Sequence, residues 1–316
     1  MSRPPFTPTI ASLPKLVPFV GPEALERARG RPFSARLGAN ESIFGSSPKA
    51  VAAMREAAAE NWKYSDPENF ELRSAIAAHH GVAIENVVVG EGIDGLLGLT
   101  CTMFLTPGAH VVTTDGAYPT FNFHVRAHGG ALELVPMRDM REDVPRLIES
   151  AKALSARLLY VSNPNNPMGS WWPAEAMTEF IGALPPETLL ILDEAYVETA
   201  PEGTAPPIDI SNPQVVHYRT FSKAYGLAGA RIGYAIGERS VIEAFDEDEF
   251  RELVALADEP ERFDPARRKE YAFGDETDHP LNRAQMRWLS IRHGVYFPWK
   301  VCYHLLENDR WEDKHS

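Results

Sequence analysis

The sequence predicts an α/β protein in which a mixed, mostly parallel sheet is covered by crossover helices on both faces. Three observations carry this. Short apolar, strand-like runs alternate with helix-like stretches from residue 86 to 220. One run, Thr188-Leu189-Leu190-Ile191-Leu192, has no polar face and ends on an acid, Asp193. An all-apolar strand belongs inside a parallel sheet, and ligands bind at the C-terminal ends of such strands. Third, 316 residues suit one large domain plus a smaller one.

Composition narrows the function classes. Hydrophobic residues at 44% and charged residues at 24% are those of an ordinary globular protein. A formal charge of −13 argues against nucleic acid or an anionic membrane as partner, since both repel an acidic surface. Cys101 and Cys302 are too few for a disulfide framework. The first ten residues, MSRPPFTPTI, lack the apolar core of a signal peptide, and no apolar run approaches the roughly 20 residues of a membrane helix. The expectation is a cytoplasmic protein. The histidines are scattered without ligand spacing, so no metal is expected.

In chain order, Pro4, Pro5, Pro8, Pro14 and Pro18 exclude a long helix from residues 1–35. After Gly38-Ala39-Asn40-Glu41-Ser42, the pair Ser47-Pro48 reads as an N-cap with proline at the first helical position, opening a helix over about 48–60. Tyr64-Ser65-Asp66-Pro67 is a turn before a helix over about 69–80. Residues 86–89 form a strand, and Gly90-Glu91-Gly92-Ile93-Asp94-Gly95 a glycine-bearing turn into an apolar helix. Such a helix start is a ready anion site, with amides offered by Gly92, Ile93 and Asp94. Asp94 is expected to cap the helix through its side chain, because a carboxylate beside a bound anion would repel it. A strand near 110–113 leads into a loop, Asp115-Gly116-Ala117-Tyr118-Pro119-Thr120-Phe121. A strand near 131–136, a helix near 143–153 and a strand near 157–161 follow, then the run Asn163-Pro164-Asn165-Asn166-Pro167, which only a loop accommodates. A helix near 173–183 precedes the Asp193 strand, and strands near 214–219 and 231–235 flank the last stretch of interest.

That stretch is Arg219-Thr220-Phe221-Ser222-Lys223-Ala224-Tyr225-Gly226-Leu227-Ala228-Gly229-Ala230-Arg231. Lysine forms a Schiff base with an aldehyde cofactor readily once its neighbours depress its pKa. Small residues let a bulky group approach the backbone, while Thr220, Ser222 and Arg231 have the chemistry to hold a phosphate. Taken alone, the stretch fits equally well a strand running into a Gly/Ala loop with one solvated lysine.

Read together and in order, NPNNPMG at 163–169, LDEAY at 192–196 and SKAYGLAGAR at 222–231 resemble the fold-type I pyridoxal-phosphate enzymes, specifically class I/II aminotransferases near histidinol-phosphate aminotransferase. The resemblance covers about residues 35–245. It implies a seven-stranded, mostly parallel sheet flanked by helices as a large domain over 36–245, an N-terminal arm over 1–35, and pyridoxal 5'-phosphate held by Lys223. It implies that Asp193 pairs with the protonated pyridine nitrogen, which keeps the ring an electron sink. Tyr196 and Asn166 would bond the phenolic oxygen, and Tyr118 would stack on the ring, with Phe121 as competitor. Gly92, Ile93, Asp94, Thr220, Ser222 and Arg231 would anchor the phosphate, joined by the hydroxyl of Tyr64 crossing a homodimer interface. Asn40 would line the substrate cleft. Each has an ordinary alternative: a packed tyrosine, an Asn-Pro turn, an exposed loop.

Beyond Asp246 the pattern stops. The family's C-terminal small domain carries an arginine that pairs with the substrate carboxylate. Residues 246–316 are rich in acids and aromatics and contain no segment matching that motif, although Arg283, Arg287 and Arg292 are available and a helix is expected near 280–292. The expectation is an atypical or truncated small domain, with a remodelled small domain, a graft from another protein and a truncation with a foreign end as the open readings. The implied activity is transfer of an amino group between an amino acid and a 2-oxo acid. The alternatives are a decarboxylase of the same fold, which acts on threonine phosphate, and a catalytically silent cofactor-binding protein.

Overall fold

A computed structural model describes residues 6–13, 20–36 and 38–245. Residues 56–69 belong to a unit separate from the rest of the described chain, which forms one α/β unit. No helix among the described residues is long and apolar enough to cross a membrane.

The proline-rich start holds two short helices, α1 (Pro8–Ser12) and α2 (Pro22–Arg29). Each opens with proline in its first turn, where the missing N–H costs nothing. α2 closes on Gly30 in a left-handed conformation. α3 (Pro48–Ala57) continues as a 3-10 turn over Ala58–Glu60, and α4 (Phe70–His80) follows.

The seven strands are β1 (Val87–Gly90), β2 (His110–Thr114), β3 (Ala131–Val135), β4 (Leu158–Ser162), β5 (Leu189–Asp193), β6 (Val215–Thr220) and β7 (Gly233–Gly237). They form one sheet in the order β1-β7-β6-β5-β4-β2-β3. β7 runs antiparallel to both its neighbours and every other pairing is parallel. The expected architecture of a mostly parallel, seven-stranded sheet is what the chain adopts. Between the strands run α5 (Gly92–Phe104), α6 (Pro119–Ala127), α7 (Val144–Leu154) and α8 (Ala174–Gly182). One expectation fails: residues 115–121 are not all loop. α6 begins at Pro119, because proline's fixed φ suits the first helical position and Tyr118 serves as N-cap.

Alternation along the central strands sorts their side chains onto two faces. Leu158, Tyr160, Leu189 and Ile191 join a core with Leu96, Leu97 and Cys101 of α5 and Phe121 and Val125 of α6. Leu159, Val161, Leu190 and Leu192 join another with Leu147, Ile148 and Ala151 of α7 and Met177 and Phe180 of α8. β4 and β5 are buried at every position, which is why they carry no polar face. Each fully buried Leu contributes roughly 1.5–3 kcal/mol relative to leaving it exposed.

Two further details position the site. A Cβ on Gly233 would lie 2.6 Å from the backbone of Gly92 and Ile93, so the glycine lets β7 press against the first turn of α5. Glu142, just before α7, is buried, and its Oε1 accepts hydrogen bonds from Asn165 Nδ2 at 2.8 Å and from the Ser162 amide at 3.3 Å. The indole of Trp172 donates to the Glu142 carbonyl at 3.2 Å. Glu142 Oε2 is buried without a hydrogen-bond partner. Burial pushes the Glu142 carboxyl from its ordinary 4.5 up to about 8, although Asn165 and Ser162 pull it down.

Two outcomes are expected. Gly233→Ala, which forces a methyl into backbone, should cost about 1–3 kcal/mol in urea unfolding. The folded chain holds the Glu142 proton more tightly than the unfolded chain, so that stabilisation is complete below pH 4.5 and is lost as pH rises towards about 8. Glu142→Gln, which cannot ionise, should be more stable than the parent at pH 9 by on the order of 3 kcal/mol and nearly equal to it at pH 5, as read by denaturant unfolding at the two pH values.

Candidate active site

The C-terminal ends of β4, β5 and β6 bring Ser162, Asp193 and Tyr218 into register, and the loops that leave these strands carry the site. Asp193 is the last residue of β5. Its Oδ1 accepts from the Ala195 amide at 3.0 Å, and its Oδ2 accepts from the Tyr160 hydroxyl at 2.6 Å. Burial raises its pKa and these two donors oppose the rise. Both donors are neutral, so among the described residues the buried charge has no hydrogen-bonded cation, and a cationic group entering the cleft would supply one.

Next along the chain, Glu194 is fully buried on the other side of the strand end. It holds Arg219 Nε at 2.9 Å and lies 3.3 Å from His217 Nδ1, both on β6. Burial pushes its pKa up, but His217 and Arg219 outweigh that and leave it below the usual carboxylate value. This pair ties the end of β5 to β6 and thereby fixes the loop that β6 releases.

Thr220 ends β6 and starts that loop. Its Oγ1 accepts from the Ser222 amide at 3.0 Å and lies 3.1 Å from the Ile232 carbonyl and 3.0 Å from Ser222 Oγ. Thr220 therefore braces the lysine loop. Gly226, at φ +68°, turns the chain, and its carbonyl accepts from Ser46 Oγ at 2.7 Å. Lys223 is half-buried; its Nζ donates to the Ala39 carbonyl at 3.2 Å and lies 5.6 Å from the centroid of the Tyr196 ring. Burial lowers the amine's pKa, with Arg231 adding to that effect and Asp193 opposing it. Asn40, in the left-handed region at φ +52°, donates from Nδ2 to Tyr196 Oη at 3.0 Å. Burial keeps the Tyr196 phenol above its ordinary pKa, so the hydroxyl retains its proton. Lys223, Tyr196, Asn40 and Asp193, spread over more than 180 positions of sequence, thus share one cleft.

Arg231 and the start of α5 lie together beside it. Arg231 is left-handed at φ +54° and exposed; its Nη2 donates to the Glu91 carbonyl at 3.5 Å and its Nη1 to the Ala228 carbonyl at 3.2 Å. Gly92 is left-handed at φ +73°, and a Cβ there would lie 2.6 Å from Arg231 Nη2, so a larger residue would strain the backbone and push the guanidinium aside. The amides at the start of a helix, here those of Gly92, Ile93 and Asp94, and a neighbouring guanidinium have the chemistry to hold an anion. The expected capping role of Asp94 is not what forms. The N-cap is Glu91, which makes no side-chain cap bond, and Asp94 Oδ1 instead lies 3.2 Å from His124 Nε2 on α6.

Tyr118 packs on the core at the N-terminus of α6, where Asp94, Asp193 and Arg231 all act on its phenol. Phe121, the competing aromatic, is fully buried and stacks on Tyr160 with centroids 4.6 Å apart, whereas Tyr118 is half-buried. Asn166 is half-buried in a loop with cis bonds before Pro164 and Pro167, and its amide donates to Ser162 Oγ at 3.2 Å. Tyr64, 74% exposed, belongs to the separate unit of residues 56–69. Arg283, Arg287, Arg292 and the helix expected near 280–292 lie outside the described residues. Tyr160 and Glu142 were not anticipated as site residues. Within Leu158-Leu159-Tyr160-Val161 a tyrosine looks like strand core, and the bond that joins it to Asp193 spans 33 positions of sequence.

Comparison with known proteins gives the family. The family model for aminotransferase class I and II matches residues 35–249. The histidinol-phosphate aminotransferase of Anaeromyxobacter sp. (strain Fw109-5) is 40% identical over 247 residues, 76% of this chain and 66% of that protein. Histidinol-phosphate aminotransferase 2 of Pseudomonas fluorescens (strain Pf0-1) is 36% identical over 67% of this chain and 58% of its own length. The chain thus spans 58–66% of these curated relatives. Among solved structures, histidinol-phosphate aminotransferase from Sinorhizobium meliloti, crystallised with pyridoxal-5'-phosphate, superposes with a TM-score of 0.74 at 54% identity, over 78% of this chain and 66% of that one. A Thermus thermophilus aspartate aminotransferase mutant gives a TM-score of 0.61 at 27% identity, over 68% of this chain and 62% of that one. The family match takes in well over half of the residues, and the chain belongs to the class I and II aminotransferases.

Proposed function

We propose that the chain binds pyridoxal 5'-phosphate through Lys223 and moves an amino group between an amino donor, histidinol phosphate or an amino acid, and a 2-oxo acid. The observation that carries this reading is the pairing of two unsatisfied electrostatic demands in one cleft: the buried Asp193 carboxylate with only neutral donors, and the open α5 start with Arg231. A group with a basic ring nitrogen at one end and a phosphate at the other meets both, and Lys223 lies in the same cleft with a depressed pKa. The names of the curated relatives support histidinol phosphate as donor.

When bound, the cofactor supplies an aldehyde that joins Lys223 and a ring that draws electrons from the substrate Cα. Asp193 holds the ring nitrogen in its cationic form. Arg231, Ser222 and the amides of Gly92, Ile93 and Asp94 hold the phosphate, while Thr220 keeps Ser222 in place. Tyr118 offers an aromatic face, and Tyr196 and Asn166 donate to the phenolic oxygen. Once freed, Lys223 Nζ would take the proton from the substrate Cα and deliver it to the cofactor carbon that had carried the aldehyde. Asn40 orients Tyr196 and lines the substrate side. The reading includes a cytoplasmic homodimer in which Tyr64 reaches the partner's phosphate group; the exposure of the Tyr64 ring is compatible with that reach.

Adding the cofactor to the purified chain should give a visible absorbance band that shifts to shorter wavelength with L-glutamate or L-histidinol phosphate. A band indifferent to both donors would leave a cofactor-binding protein without transfer activity. Lys223→Ala should lose the lysine-dependent band altogether. Arg231→Ala should weaken cofactor affinity by about tenfold or more, equivalent to at least about 1.4 kcal/mol, measured by absorbance titration.

A further inference from the structure

Asp193 is held by a residue that belongs to no part of the motif around it. Tyr160 lies on β4, and in the β4–β5 register it stands opposite Ile191 while Ser162 stands opposite Asp193. Residues two apart share a face of the sheet, so Tyr160 and Asp193 are diagonal neighbours on the face that carries the cofactor cleft. The tyrosine is fully buried, its ring lies at 18° to that of Phe121 with centroids 4.6 Å apart, and its hydroxyl donates to Asp193 Oδ2 at 2.6 Å. The Ala195 amide takes Oδ1. One donor on each oxygen fixes both the plane and the rotation of the carboxylate and leaves each oxygen a further lone pair.

We propose that Tyr160 is a positioning residue for Asp193: braced by Phe121, its hydroxyl aims the carboxylate and keeps it ionised, so that it can receive the cationic ring nitrogen of the cofactor. This rests on the cofactor reading given above. Burial and the adjacent Asp193 charge push the Tyr160 phenol well above its ordinary pKa, so it remains a donor throughout the working range. The competing role is core filling. A phenylalanine would fill the same volume and keep the Phe121 stack, and what it could not do is donate. The other ionisable groups acting with Asp193 are Glu194 beside it, Lys223 on the loop after β6, Tyr118 before α6, Tyr196 after β5, Tyr218 on β6 and Glu142 before α7. All of them remain in a Tyr160→Phe variant. Losing a hydrogen bond to the charged form raises an acid's pKa, so the acid limb of cofactor binding moves to higher pH.

The test titrates the full-length apoprotein with pyridoxal 5'-phosphate across about pH 5 to 9, for the parent, Tyr160→Phe, Asp193→Asn and the double variant, alongside a thermal melt of each. The expected result is an acid limb raised by about one unit in Tyr160→Phe and affinity about tenfold lower on that limb. Asp193→Asn should bind weakly at every pH, with no further loss in the double variant. Site-specific replacement of Tyr160 by difluorotyrosine, a stronger donor of the same shape, should move the limb the opposite way, and it decides the matter if Tyr160→Phe does not fold. An unchanged limb in both Tyr160 variants would overturn the proposal, as would an equal loss of affinity in the Asp193 and Asp193→Asn backgrounds, which marks a packing role. A parent chain that does not bind the cofactor at all would overturn the functional reading itself, and this inference with it.

Discussion

A carboxylate buried at the end of a central strand is the constraint around which this molecule is arranged. An ionised acid taken out of water costs several kcal/mol unless its lone pairs are met and a cation balances it. In Asp193 the lone pairs are met by Tyr160 and Ala195, but the cation is left to whatever enters the cleft. The residue after it shows the contrast. Glu194 is as deeply buried yet is balanced by Arg219 and His217, and its carboxyl falls below the ordinary value where that of Asp193 rises. Two adjacent acids in one chain turn thus serve different ends. Glu194 is spent within the fold, tying two strands together, while Asp193 has only neutral hydrogen-bond donors among the described residues.

That arrangement depends on the strand order. Because β5 is central and parallel to β4 and β6, its C-terminal end is flanked by the ends of both neighbours, and three loops converge there. Antiparallel β7 returns the chain from the lysine loop to the first turn of α5, and Gly233 and Gly92 let that return pass close enough for Arg231 to lie against the helix start. The amine and the anion site are therefore linked through one short loop and one strand. A change of packing at either glycine would disturb both.

Most of the architecture was legible in the sequence because its signals are local. Four consecutive apolar residues, Leu189 to Leu192, running into Asp193 mark a strand buried on both faces, and each strand-like run from Val87 to Tyr234 became a strand within a residue or two of its expected limits. α6 was missed because Tyr118-Pro119 fits a turn as well as a helix start, and only the packing of Phe121 and Val125 on the core decides between them. Asp94 was misjudged for a related reason. Its position in the first turn suggests a cap, while the partner it takes, His124, is contributed by a helix that was not foreseen. The lysine, the acid and the Asn-Pro loop were found because each has its own sequence pattern. Tyr160 and Glu142 have none: their roles exist only once strands and loops far apart in sequence are paired.

The contacts of Lys223 show how the cleft reconciles order with reactivity. A lysine amine paired with a carboxylate would be anchored by charge and held protonated, and neither suits a nucleophile. Among the described residues its bonded partner is a neutral carbonyl, that of Ala39, and a single neutral hydrogen bond contributes only about 0.5–1.5 kcal/mol. The amine is held in place by a contact it can give up cheaply. The loop that provides the carbonyl does not depend on it, because Ser46 is fastened separately to Gly226 and Asn40 to Tyr196. Moving the lysine from Ala39 to another bonding partner therefore leaves two of the three ties between that loop and the lysine side of the cleft intact, and the walls of the site keep their places while the amine moves.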